Sequence, residues 1–408
     1  MYSPHKHSYI QARSCGINPR VINRTVAKAR DNIVIDGIDF EPPYLRLSSH
    51  LPYTPIGNVD ITRRPCAFDR WALPKLRREL HSKDEDLQIC AITTICDLCH
   101  DPEKAFDAIR LRIPNRLADL LLNSNEVIRE RSLYALIVIA NQADGKTAIT
   151  QNKVILQNLA ELIASEANDL VRLKANEVVY VVSEFWVTGC DLVENKFLTY
   201  LTDGIELETD EIIVMRLKAL YHLMTTTSSI SEVMELDGFG TCLDLLERDN
   251  VAVQAHALKC LQILTSSPVG QELFLENKIL YKLNKLLNHK NPDVYTYATS
   301  LLMFGTVHTK VKIKCKKFVN IPKRLLELCN DRFTPYVQFF AIKALTNISE
   351  FPPIRMKVRE KMDVVNNIIV DGDADLKRHK EILLKVLEKE PGVFDEEDIM
   401  PGYYQQNV

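Results

Sequence analysis

The residues with the most obvious capacity for chemistry are the thiols and the imidazole of Cys96-Asp-Leu-Cys99-His100. Their spacing matches C-x-x-C-H, the attachment pattern of c-type haem, and paired cysteines also begin many zinc sites. Haem needs a pocket and structural zinc needs four ligands, yet the sequence offers no second paired cluster. Because Cys99 continues an apolar helical pattern, we expect Cys90, Cys96 and Cys99 to pack in a core. His100-Asp101-Pro102 then ends the helix.

The other common chemical signatures do not occur in the sequence. It contains no G-x-x-x-x-G-K-[ST] phosphate loop, no G-x-G-x-x-G turn, no H-E-x-x-H pair and no G-x-S-x-G elbow. The formal net charge of −3 does not favour a nucleic acid partner. No apolar run is long enough to span a membrane. We therefore predict a protein without enzymatic activity, cofactor, metal, small-molecule substrate, nucleic acid or membrane.

The elements that carry these residues repeat along the chain. An apolar residue is followed by a small residue four positions later and by apolar residues at offsets seven, eight and eleven, which share one face of a helix. The first copy reads Leu87, Ala91, Ile95 and Leu98. Small residues allow close helix crossings, and they recur at positions 91, 132, 175, 219, 257, 298 and 341. A more charged eighth copy covers Leu376–Glu390.

The repeat predicts the fold. A shorter leucine-rich helix precedes each patterned helix, as at Leu159–Ala164, and a third short helix fits further upstream, as at Asp144–Ile149. Three helices per repeat define an all-α armadillo solenoid, here with about seven repeats and a polar C-terminal capping repeat. The HEAT repeat, with two helices and a similar period, is the alternative. We predict a basic, proline-containing arm at 1–65, the solenoid at 66–390 and an acidic tail at 391–408.

Glycine and cysteine usage agree with this prediction. The chain has 13 glycines among 408 residues, about half the usual share, which predicts few backbone positions with positive φ. Its ten cysteines mostly lie within apolar helical patterns, as free thiols do in a reducing cytoplasm.

The first thirty residues carry six Lys or Arg and no acid. That composition fits a basic arm on an acidic partner, a solvated tail or a mitochondrial transit peptide, which Pro4 and Pro19 disfavour.

The patterned helices also carry the predicted partner-binding groove. Armadillo importins and catenin-type adaptors hold extended peptides with a ladder of Asn, ten positions after the first apolar anchor of each patterned helix, and with nearby Trp. Here the Trp positions hold no Trp, and the Asn positions hold Asp97, Val138, Val181, Thr225, Ile263, Phe304 and Asn347. Valine and isoleucine side chains neither donate to nor accept from a peptide backbone. We expect the groove to bury a partner helix or neighbouring subunit instead of a basic cargo peptide.

One basic cluster is a second candidate surface. It contains no acid between its members, which are Lys310, Lys312, Lys314, Lys316, Lys317, Lys323 and Arg324. The cluster fits a solvated helix face, and it also fits a patch for an acidic surface such as tubulin.

The start of the first repeat resembles a known family. Ala-Phe68-Asp-Arg-Trp71-Ala-Leu-Pro74-Lys-Leu is followed by Cys-Asp-Leu-Cys-His-Asp-Pro-Glu103. Both segments closely resemble the corresponding block of the armadillo-repeat radial spoke head family, also called the rhabdoid tumour deletion region protein family. Phe68 and Trp71 are suited to cover the exposed end of the first repeat, with Pro74 in the first turn of its helix.

The resemblance implies a structural subunit of the radial spoke in the axoneme of motile cilia or flagella. Its partners would be other spoke subunits, and its location would be the cytoplasm, the cytoskeleton and the cilium. The alternative is a soluble armadillo adaptor in protein transport or signalling, and a mitochondrial protein is the second alternative.

Overall fold

The computed structural model describes residues 72–331, 334–370 and 373–389, and every regular element in those ranges is helical. The helices are α1 Ala72–Glu79, α2 Glu85–Cys99, α3 Pro102–Arg110, α4 Ile113–Leu120, α5 Glu126–Ala140, α6 Ala143–Thr150, α7 Lys153–Ser165, α8 Asp169–Ser183, α9 Trp186–Glu194, α10 Phe197–Thr202, α11 Asp210–Leu223, α12 Thr227–Glu235, α13 Gly238–Leu245, α14 Val251–Leu264, α15 Pro268–Glu276, α16 Ile279–Leu286, α17 Pro292–Gly305, α18 Thr309–Lys314, α19 Asn320–Leu328, α20 Pro335–Ser349, α21 Pro352–Arg359, α22 Met362–Asn366 and α23 Ala374–Glu388. Short 3₁₀ turns lie at Ile205–Leu207 and Cys315–Lys317. The predicted arm and tail, and the boundaries predicted for them, lie outside these ranges.

The eight patterned helices are present in the expected places. They are α2, α5, α8, α11, α14, α17, α20 and α23, and we call them the third helices. The small residues from Ala91 to Ala341 are fully buried, including the one serine, Ser132. In the eighth copy the half-buried Lys380 stands four positions after the anchor Leu376, and Leu383 at offset seven is buried. The prediction of closely crossing helices with small residues at their contacts is confirmed.

Three helices make up each complete repeat, as α6, α7 and α8 show. Within each compact unit, the second helix of a repeat packs along its third helix, and that third helix packs on the third helix of the next repeat. This arrangement confirms the armadillo class and excludes the two-helix HEAT alternative for the described repeats.

The chain divides into two compact units between Asn195 and Lys196, within the fourth repeat. The described part of the first unit holds α1–α9, with three third helices. That of the second unit holds α10–α23, with five third helices. In each unit the core lies between the third helices and the shorter helices packed against them.

Asparagine caps tie consecutive third helices together. Asn125 accepts a hydrogen bond from the Val127 amide at 2.9 Å and donates through Nδ2 to Glu85 Oε2 at 2.6 Å. Asn168 repeats the second contact on Glu126 at 2.7 Å, and Asn250 repeats it on Asp210 at 3.1 Å. Each side chain therefore caps its own helix and bonds to the acid in the first turn of the preceding third helix.

A lysine–glutamate pair recurs in the two units. Lys146 on α6 is nearly buried, and its Nζ lies 3.0 Å from Glu184, which follows α8. Lys312 on α18 pairs in the same way with Glu350, which follows α20. Both glutamates stand in the sequence Ser-Glu-Phe at the end of a third helix. The pair links the first helix of a repeat to the end of the third helix of the same repeat.

The prediction of few positive-φ positions is confirmed for the described residues, where five residues have positive φ, Gly204 among them. Among the described residues, Arg112, Lys196, Asp237 and Lys278 have φ between 53° and 63°, and each immediately precedes the second helix of its repeat. In these four repeats a left-handed residue makes the sharp turn between the first and second helices. At these four turns a charged residue, and not a glycine, takes the left-handed conformation.

Candidate interaction surfaces

The cysteine motif lies inside the first unit's core. Cys96 and Cys99 are buried on α2, and His100 caps the end of that helix with its side chain exposed. Burial, followed by the neighbouring Cys96, raises the pKa of Cys99 to about 12. Asp101 caps α3 by accepting from the Glu103 amide at 3.0 Å. The prediction of packing residues followed by a helix end is confirmed for these positions.

The predicted groove positions do not share one environment. Asp97 is exposed, and Val138 is only 2% exposed and packs in the core. Thr225 lies beyond the end of α11, because that helix stops at Leu223. Val181, Ile263, Phe304 and Asn347 are half-buried on their third helices.

The one asparagine among these positions makes its hydrogen bonds within the protein. Asn347 Nδ2 donates to the backbone carbonyl of Met303 at 3.0 Å and lies 3.4 Å from Thr306 Oγ1. Both partners lie at the end of α17, the preceding third helix. The amide donors therefore join neighbouring repeats, which agrees with the absence of an importin-like Asn ladder.

A lysine–tyrosine stack crosses three third helices of the second unit, and its residues are not among the predicted site residues. Lys259 Nζ on α14 lies 3.9 Å from the ring centroid of Tyr221 on α11 and 5.8 Å from that of Tyr297 on α17. Cation–π contacts of this kind hold an ammonium group without a carboxylate. The sequence signal was present, because Lys218, Tyr221, His256, Lys259 and Tyr297 stand three or six positions after the apolar anchors.

Positive charge accumulates around this stack. Burial, then Lys218 and Lys259, lowers the pKa of His256 to about 4. Burial also lowers the pKa of Lys259, and Lys218 adds to the effect while Cys260 opposes it. Within the described ranges of the second unit, no carboxylate lies within ion-pair distance of Lys259. An acidic group placed here would gain attraction without displacing an existing partner.

A second aromatic and basic group lies on α20 and α23. Lys343 Nζ lies 4.9 Å from the Phe339 ring centroid, and the His379 ring meets Phe339 edge-on at 5.1 Å. Burial, then Lys343 and Arg378, lowers the pKa of His379. The first unit differs, because Lys174 lies over Tyr134 at 5.5 Å and is also paired with Glu177 at 2.6 Å.

The structure separates the members of the basic cluster. Lys312 is nearly buried and is paired with Glu350, so it is not part of an exposed patch. The sequence showed no acid in the cluster because Glu350 stands 38 positions away and reaches Lys312 only when the three helices of the repeat pack together. Lys310, Lys314, Lys316 and Lys317 are exposed.

Of the predicted N-terminal block, Pro74 lies in the first turn of α1, as expected. Phe68 and Trp71 lie outside the described residues.

Comparison with known proteins supports the fold and assigns a family. A family model described as proteasome non-ATPase 26S subunit matches residues 74–350, which is more than half of the chain. The chain belongs to this family. The matched range begins in α1 and ends at Glu350, and it includes the lysine–tyrosine stack and both lysine–glutamate pairs.

The solved structures that resemble this member of the family are helical repeat proteins. An engineered protein superposes with a TM-score of 0.63 at 17% identity, covering 78% of this chain and 89% of its own. A designed armadillo repeat protein in complex with the peptide (KR)4 gives 0.53 at 19% identity, covering 57% and 99%. Designed armadillo repeat proteins for modular peptide recognition give 0.53 at 18% identity. At these identities the likeness establishes the armadillo fold alone.

None of the described helices combines the length and the apolar composition that crossing a bilayer requires.

Proposed function

We propose that this chain is a non-catalytic structural subunit of the radial spoke in the axoneme of motile cilia and flagella. The observation that carries the proposal is the resemblance of residues 67–80 and 96–103 to the start of the radial spoke head family's solenoid. A repeat fold suited to protein–protein interaction supports it, because stacked repeats present long surfaces to several partners at once.

The third helices of the second unit are the proposed contact surface for neighbouring spoke subunits. Ile263 and Phe304 supply half-buried apolar area there, and the lysine–tyrosine stack supplies positive charge. Apolar anchors within a charged surround are typical of specific protein interfaces. The charge favours acidic partners, among which tubulin and acidic spoke subunits are proposed.

The test is incorporation into axonemes. Cells that lack the protein would express a tagged chain, either wild type or with Ile263→Asp and Phe304→Asp combined. Isolated axonemes would then be analysed by immunoblotting and by cross-linking with mass spectrometry. We expect the wild type to cross-link to spoke subunits and to restore motility, and the double variant to do neither. Val269→Asp, at an exposed position on α15, is the matched control and should incorporate normally.

Folding must be separated from binding in this test. Circular dichroism of the purified double variant should show wild-type helix content, and Lys259→Glu tests the same surface without adding a charge to an apolar position. If the wild-type chain is absent from axonemes, the spoke assignment is wrong. If the variants incorporate normally, the spoke assignment stands and the third-helix surface is not the interface.

The family match favours a second candidate function. The family's description names a proteasome subunit, which suggests an adaptor that binds proteasome components in the cytoplasm. Affinity purification of the tagged chain from the soluble fraction, in parallel with the axoneme fraction, tests this alternative. Recovery of proteasome subunits from the soluble fraction, together with absence from axonemes, would favour it over the spoke.

A further inference from the structure

The outer helices of the second unit form a basic cavity with an apolar floor. The cavity has a volume of about 270 Å³ and lies between α19 and α21. Pro322, Leu326, Ile354 and Val358 are among its apolar lining residues. Four lysines and one glutamate also line it, namely Lys316, Lys323, Lys357, Lys361 and Glu360. We call it the α19–α21 cavity.

Part of the basic cluster, to which the proposed function assigns no role, lines this cavity. Lys316 and Lys323 come from the cluster, and Lys357 and Lys361 come from the next repeat. With four ammonium groups against one carboxylate, the lining carries an excess of positive charge. A fitting ligand therefore combines carboxylates with an apolar side chain.

The described chain ends beside this cavity. Arg355 Nη1 donates to the Lys389 carbonyl at 3.1 Å, and Arg359 Nη2 donates to the Glu388 carbonyl at 3.1 Å. Both arginines belong to α21, whose residues Ile354, Lys357 and Val358 line the cavity. The end of α23 and the cavity thus lie on neighbouring faces of one helix, whose full diameter is about 10–12 Å.

Residues that follow Lys389 in the sequence combine the acidic and apolar side chains that such a ligand needs. Residues 393–400 read Val-Phe-Asp-Glu-Glu-Asp-Ile-Met, with four consecutive acids flanked on each side by two apolar residues. From Lys389 to Val393 the chain can span roughly 13 Å when extended, which is enough to pass around α21. A segment so close to its site has a millimolar effective concentration, so a weak contact suffices to hold it there.

We propose that residues 393–400 dock in the α19–α21 cavity of the same chain, with Phe394 on the apolar floor and the carboxylates of 395–398 against the lysines. The docked segment covers part of the basic cluster. An acidic partner must then displace the segment, which makes it a built-in competitor for that surface. The proposal does not depend on the spoke assignment, because the purified chain alone tests it.

Zero-length cross-linking with a carbodiimide on the purified full-length chain is the test. The reagent joins a carboxylate to a lysine in direct contact, and peptide mass spectrometry identifies the pair. We expect links from Asp395–Asp398 to Lys323, Lys357 or Lys361, with a yield independent of protein dilution. Lys310 is exposed in the same cluster but does not line the cavity, and it should link far less often.

Two variants separate docking from random collision. Phe394→Ser keeps every carboxylate and should lower the yield about tenfold, because one buried aromatic side chain is lost. Tyr403→Ser, in the same tail but outside the proposed segment, should leave the yield unchanged. Equal linkage to Lys310 and Lys357 would overturn the proposal, and so would insensitivity to Phe394→Ser. Mixing isotope-labelled and unlabelled chains adds a third criterion, since links found only between chains would show that a second copy provides the segment.

Discussion

Removing the cap of α14 tests whether the asparagine contacts stabilise the stacking of repeats. Asn250 Oδ1 accepts from the Ala252 amide at 2.9 Å and from the Val253 amide at 3.3 Å, while Nδ2 donates to Asp210 at 3.1 Å. Loss of the cap costs about 1 kcal/mol. Loss of a partly exposed bond to a carboxylate adds about 0.5–1 kcal/mol. We expect Asn250→Ala to lower the free energy of unfolding by about 1.5–2 kcal/mol.

Urea unfolding followed by circular dichroism measures this loss, and amide hydrogen exchange locates it in the first turn of α14. For a unit of this size the same loss lowers the melting temperature by roughly 3–8 °C. Asn250→Ser keeps a hydroxyl acceptor for the cap but is too short to reach Asp210, so we expect it to lose only the second contribution.

Thr209→Ala is the matched control, because Thr209 occupies the same position before α11 but its side chain makes no capping hydrogen bond. It should change the stability by less than about 0.5 kcal/mol. If Asn250→Ala is no less stable than Thr209→Ala, the asparagine contacts do not hold the repeats together. If Asn250→Ser loses as much as Asn250→Ala, the cap itself contributes nothing.

Three further predictions concern single positions in the second unit. Gly270→Ala should lower the free energy of unfolding by at least about 2 kcal/mol, because a Cβ there would lie 2.0 Å from the Leu264 carbonyl oxygen. Gly240→Ala is the control in the same urea titration. It should lower the stability less, because the nearest atoms to its Cβ belong to the side chain of Asp237. Lys278→Gly should raise the free energy of unfolding by up to about 1 kcal/mol, because φ is 53° there, and an unchanged midpoint would show that the left-handed turn is unstrained. His256 has a pKa of about 4 in the folded chain and its ordinary pKa near 6.5 when the chain is unfolded. The unfolded chain therefore binds a proton more readily, and the free energy of unfolding should fall as the pH drops from 6.5 to 4. His256→Gln should remove this contribution and flatten the plot of stability against pH between those values.

The sequence predicted the fold because the information for it is local. The offsets between Val253, Ala257, Leu261 and Leu264 fall within one helix, and their repetition reveals which face is buried. The same argument placed Cys96 and Cys99 in a core and ended α2 at His100. The sequence did not predict which residues have left-handed backbone conformations, because nothing in the sequence around Lys278 indicates its positive φ.

The surfaces depended on contacts between residues about forty positions apart. The sequence placed Lys259 and Lys312 on helices, but it could not show that Lys259 lies over Tyr221 or that Lys312 is paired with Glu350. The first contact requires the distance and rotation between consecutive repeats, and the second requires the packing of the three helices within a repeat; many small packing interactions set both. The amino-acid pattern by itself therefore determined the repeat, its helices and their buried faces. Only the tertiary structure decided which charges are compensated and which remain available to a partner, because a charge on a helix surface acquires its neighbours when other helices of its own or an adjacent repeat pack against it.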